Sequence, residues 1–100
     1  MSGPSDQFAD LKVNSDRIRI EFLRTELETG FTFATVAETE RHIGDDAAAT
    51  RCLGHAEKAY STLARFLSDP KHAKNIDDAQ HRELTTGMER LREKLDELRP

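Results

Sequence analysis

From Ala49 to Leu67 the chain places apolar residues at Ala49, Leu53, Ala56, Tyr60, Leu63 and Leu67. Every step is three or four residues, the repeat of one face of an α-helix. Cys52, Ala59 and Phe66 widen that stripe. A strand alternates with a period of two and would scatter these residues over both faces, so this segment commits the chain to helix. The rhythm recurs at Leu84, Met88, Leu91, Leu95 and Leu98, close to a heptad and flanked by Glu89, Arg90, Arg92, Glu93, Lys94 and Glu97. A less regular stripe runs through Ile20, Leu23, Leu27, Gly30 or Phe31, Ala34 and Ala37.

The punctuation between the stripes sets the boundaries. Gly44 is the natural stop of the first helix, because glycine tolerates the left-handed geometry that ends helices. Asp45 and Asp46 follow, and both suit a helix N-terminus. The second helix should end near Ser68, since Pro70 disfavours helical geometry in the residue before it. Lys71 to Asn75 reads as a polar connector, and Asn75 or Asp77 can cap the third helix. Asn14, Ser15 and Asp16 offer caps for the first. The alternation Ile18, Ile20, Phe22 hints at a strand, but Leu23 and Leu27 break it. Gly30 costs about 1 kcal/mol relative to Ala in a helix interior. Even so, the stripe passes it in register, which favours one long helix over about residues 15–43, with a kink at Gly30 as the alternative. Residues 1–13, with Ser2, Gly3, Pro4 and Ser5, read as a flexible lead-in from which Phe8 and Leu11 can reach the body. Residues 14–100 then form a single domain. Short links between three amphipathic helices predict an all-α, antiparallel, up-down-up three-helix bundle.

Composition makes the core thin. Leu, Ile, Val and Phe account for 21 of 100 residues, only just above the roughly 20% below which disorder is expected. The helical periodicity decides for order. The net charge of −4 and pI of about 5.5 come with Lys and Arg scattered among Asp and Glu. Nucleic acid is bound through a basic stripe, and none is visible, so nucleic acid is not an expected partner. No apolar run approaches the roughly 18 residues of a membrane span. The opening MSGPSDQFADLK lacks the basic and apolar regions of a secretory signal. A single cysteine makes no internal disulfide. The expected location is cytoplasmic.

The chemistry-bearing residues are few. Cys52 and His55 stand three apart on one helix flank, and His42, His72 and His81 would have to be recruited to complete a zinc site. There is no second Cys and no His-x-x-x-His, and Cys52 reads as a structural thiol. No metal or other cofactor is expected. Glu38, Glu40, Asp45 and Asp46 cluster near the first turn, and acids at helix starts are expected for capping and the helix dipole. With no Gly-rich phosphate loop and no Gly-x-Ser-x-Gly, no enzymatic activity is expected.

Two local resemblances remain. His55-Ala56-Glu57-Lys58-Ala59 resembles the core of histidine-containing phosphotransfer domains, in which an exposed histidine precedes lysine by three and glycine by four. The resemblance implies His55 as phospho-acceptor with Lys58 beside it. Ala59 stands at the glycine position, and the family builds its site on four helices. Leu53, Ala56, Tyr60 and Leu63 would face inward, leaving His55 and Lys58 outward. The stretch from Phe33 to Ala56 resembles a single tetratricopeptide-type helix pair. Phe33, Val36 and Ala37 match its first helix, Gly44-Asp45 the turn, and Ala49, Leu53 and Ala56 the second helix. Glu40 and Ser61 depart from the pattern, and no second copy at a ~34-residue period follows. That resemblance implies protein or peptide binding.

Phe31 and Phe33 flank Thr32, so both cannot lie on a narrow inward stripe. Either each packs against a different neighbouring helix, or one is exposed and recruits a partner. The expected function is a protein–protein interaction or oligomerisation module. Its partner is a protein, a peptide or a second copy as a homodimer. Phe31 and Phe33 are candidate contacts, and Leu84, Leu91, Leu95 and Leu98 are the candidate self-association seam, the alternative being that the first two helices use these leucines fully. The alternative is histidine phosphotransfer through His55.

Overall fold

In the computed structural model, residues 4–73 and 76–99 are described, and they are all-α, with no strand among them. Four helices follow in order: α1 Pro4–His42, α2 Asp46–Ser68, α3 Pro70–Ala73 and α4 Asp78–Leu98. No helix among the described residues is long and apolar enough to cross a membrane.

The first helix departs most from expectation. It starts at Pro4, not near residue 15, and residues 4–13 of the expected flexible lead-in are helical and continuous with the rest. Residues 1–3 lie outside the described residues. Proline suits a first helical turn, where the missing N–H has no partner to lose. Once a helix is nucleated, each added residue gains a hydrogen bond without needing an apolar face. Stripe counting therefore missed this start, and Asn14, Ser15 and Asp16 are interior residues, not caps. Asp16 instead accepts a hydrogen bond from Arg19 at 3.2 Å.

α1 is unbroken through Gly30. The glycine is there for close approach: a Cβ on it would stand 2.6 Å from Leu91 Cδ2 and 3.6 Å from Ala59 Cβ. Three helices therefore meet around its missing side chain.

The α1–α2 turn forms where the sequence placed it. Gly44 adopts φ of +88°, and the Asp45 N–H donates to the Glu40 carbonyl at 2.9 Å, the long-range bond of a glycine-terminated helix. Asp45 caps α2 by accepting from the Ala48 N–H at 3.0 Å.

The expected polar connector from Lys71 to Asn75 begins instead as the one-turn helix α3, which makes four helices where three were expected. Pro70 occupies its first position, and the Asp69 carboxylate accepts the Lys71 N–H at 2.9 Å. Asn75 lies outside the described residues.

Asp77 is the cap of α4. Its carboxylate accepts the Gln80 N–H at 2.7 Å, and Gln80 Oε1 accepts the Asp77 N–H at 3.3 Å, a reciprocal capping box. Asp77→Ala should lower stability by about 1 kcal/mol, read as a lower urea midpoint at unchanged slope. An unchanged midpoint would show that the box contributes nothing.

The core has two parts. Ile20, Leu23, Leu63, Ile76, Leu84 and Met88 form one, and Ala34, Ala37, Ala56, Leu91, Leu95 and Leu98 form the other. The second is built from small residues on α1 and α2 and leucines on α4. Alanines let the backbones approach, and the leucines fill what remains.

Candidate interaction surface

The four leucines expected to form a self-association seam are spent on the core. Leu91 and Leu95 are fully buried, and Leu84 and Leu98 nearly so. The heptad-like spacing of α4 is thus the spacing of a helix covered by α1 and α2, and that seam is withdrawn.

Phe31 and Phe33 are both half-buried against the second core cluster. They part to opposite neighbours. Phe31 joins Leu27, Thr86, Gly87 and Arg90 in lining an open groove of about 540 Å³ between α1 and α4. Phe33 lies against the ring of His55 on α2, with centroids 4.9 Å apart.

His55 and Lys58 are both exposed on neighbouring turns of α2. Cys52 is half-buried and packs against the second core cluster. Among the described residues no group of three or more His, Cys, Asp or Glu side chains gathers as an ion would require.

One polar cluster locks α2 to α4. Arg92 grips Glu57 with both terminal nitrogens, at 2.8 and 3.1 Å, and Arg99 adds a third bond at 2.7 Å. The Arg92 guanidinium also reaches Asp96 at 3.1 Å and lies 4.9 Å from the Tyr60 ring centre. The hydrogen bonds from Arg92 hold the Glu57 carboxyl down at about 2, against a partial loss of hydration that works the other way, with Arg99 adding to the lowering. Arg24–Glu83 at 2.9 Å and Lys94–Glu38 at 3.4 Å tie α4 to α1, and the Arg41 guanidinium donates to the Leu98 carbonyl.

The surface that sequence reading missed is on α1. Over residues 15–72 and 76–99 the exposed large apolar side chains are Ile18, Phe22, Val36 and Ile43. All four fall on one row with Thr25, Thr29, Thr32 and Thr39, in alternating steps of four and three, Ile43 continuing it one residue past the end of α1. No member of the row is charged. At 100° per residue the row lies roughly 160° around α1 from Ile20, Leu23, Leu27, Ala34 and Ala37, which face the core. The hydroxyl of Thr39 donates to the Thr35 carbonyl at 3.1 Å, so its hydrogen-bonding need is met within the helix. The apparent strand signal at Ile18, Ile20 and Phe22 is now explained. Ile20 is buried on the inner face, while Ile18 and Phe22 belong to the outer one.

Comparison of the chain with protein-family models, with curated proteins and with solved structures finds no match in any of the three.

Proposed function

We propose that the chain is an up-down-up three-helix bundle, with α3 as a turn in its second connection, and that it serves as a protein–protein interaction module through the outer face of α1. Support for the arrangement comes from side-chain pairs. Phe22 meets Phe66 and Phe33 meets His55, which runs α2 back along α1. Arg24 meets Glu83 and Glu38 meets Lys94, which runs α4 forward along it.

The observation that carries the functional reading is that, over residues 15–72 and 76–99, the exposed large apolar side chains all fall on one uncharged row. Single exposed apolar residues are ordinary on any surface. A row of them along α1, in which Phe22 is partly covered by Phe66 of α2, is the form of a helix that packs against another protein.

The test compares tagged wild-type chain with Ile18→Asp/Val36→Asp, both at exposed sites. The variant should unfold within about 0.5 kcal/mol of wild type, yet lose the chains that wild type retains, whether untagged copies of itself or other proteins. Retention of the same chains by the variant, or of none by wild type, overturns the reading.

A further inference from the structure

We infer that the occupant of the α1 row is a second copy of this chain, laid antiparallel to the first; the inference rests on the interaction-module reading. The alternating steps place Phe22, Thr29, Val36 and Ile43 at the a positions of a heptad and Ile18, Thr25, Thr32 and Thr39 at the d positions. The row spans nearly four heptads, with large apolar residues at four of its eight positions and threonine at the other four.

Size complementarity favours the antiparallel register. In that arrangement a positions face d positions, and a centre between Gly30 and Phe31 aligns the whole row. Ile18 then meets Ile43 of the second copy, Phe22 meets Thr39, Thr25 meets Val36, and Thr29 meets Thr32. Two branched residues close each end, and each large residue inside them faces a threonine. A parallel pair would instead stack Phe22 on Phe22 and thereby leave the Thr25 layer underfilled.

Charge complementarity points the same way. Arg19, Glu26, Phe33 and Glu40 flank the row on one side at the e positions, and Glu21, Glu28, Thr35 and His42 flank it on the other at g. Antiparallel helices bring like flanks together. Arg19 then faces Glu40 of the second copy, and Glu21 faces His42, each contact occurring twice by symmetry. The remaining flank pairs, Glu26 with Phe33 and Glu28 with Thr35, oppose no like charges. A parallel pair brings opposite flanks together, which sets Glu21 against Glu26 twice with no attractive pair in return. Arg19 already holds Asp16 of its own helix at 3.2 Å, a surface contact weak enough to yield.

The experiment uses the full chain with Cys52→Ser, to which Ile18→Cys or Ile43→Cys is added. Both sites are well exposed, at 65% and 71%. Under mild oxidation, a mixture of the two chains should cross-link between unlike chains, and neither chain alone should cross-link. Cross-linking within each chain type alone identifies a parallel pair and overturns the proposal. So does a strictly monomeric wild type by sedimentation at high concentration. A monomer would still leave the interaction reading standing, because retention of another protein, lost in Ile18→Asp/Val36→Asp, decides that separately. Arg19→Glu should weaken the dimer roughly tenfold, and adding Glu40→Arg should restore it. A double variant no tighter than Arg19→Glu would remove the charge argument and, with it, the register.

Discussion

Leu91→Ala is expected to lower the stability of the fold by about 3 kcal/mol, within the range for deleting a fully buried leucine. Leu91 has no exposed surface and fills the space that Gly30 leaves between the helices. That arrangement makes a sharper prediction for Gly30→Ala. Alanine gains about 1 kcal/mol of helix propensity over glycine. In wild type, however, its Cβ would stand 2.6 Å from Leu91 Cδ2, and crowding a packed core costs about 1–3 kcal/mol. Gly30→Ala should therefore be neutral to destabilising alone and stabilising by about 1 kcal/mol when combined with Leu91→Ala. Urea unfolding of the four proteins, followed by circular dichroism, measures the cycle. Equal effects of Gly30→Ala in both backgrounds would show that the two residues do not share this space.

The second large effect is expected at Glu57. Its carboxyl is lowered from 4.5 to about 2, first by the hydrogen bonds from Arg92 and then by Arg99, against the opposing effect of burial. A depressed carboxyl stabilises the fold while it is ionised in both states, above its unfolded value. That stability is lost as pH falls from about 4.5 through about 2. A shift of this size sets a ceiling of about 3 kcal/mol. With 29% of the side chain exposed, solvent screening should reduce the effect to about 1–2 kcal/mol. The difference in stability between wild type and Glu57→Gln should thus be largest near neutral pH and close over that acid window. A difference that persists undiminished at pH 2 would assign the loss to packing and not to charge.

How much of this was legible in the sequence follows from the range of each cause. Gly44, Asp45 and the end of α2 ahead of Pro70 were read correctly because a turn glycine, a cap and a proline act within a few residues. The apolar faces of α2 and α4 were read because steps of three and four residues are a local periodic signal. α3 was missed because a one-turn helix carries no periodic signal. The start of α1 was missed because it extends past any apolar stripe and depends on propagation from the turns beside it.

The interaction surface failed for a different reason. α1 carries two stripes, Ile20–Leu23–Leu27 and Ile18–Phe22–Val36–Ile43, and α4 carries one that resembles a coiled-coil seam. Periodicity shows that a face is apolar and does not show what covers it. By itself the sequence determined that the chain is helical, where α2 ends, and which faces of α2 and α4 are apolar. Only the tertiary structure decided that the leucines of α4 are spent inside and that the outer row leaves Ile18, Val36 and Ile43 exposed, with Phe22 packed in part on Phe66. The deciding step was close approach at Gly30, Ala34, Ala37, Ala56 and Ala59, because their small side chains admit the α4 leucines between α1 and α2 and leave Ile18, Val36 and Ile43 on the opposite side exposed.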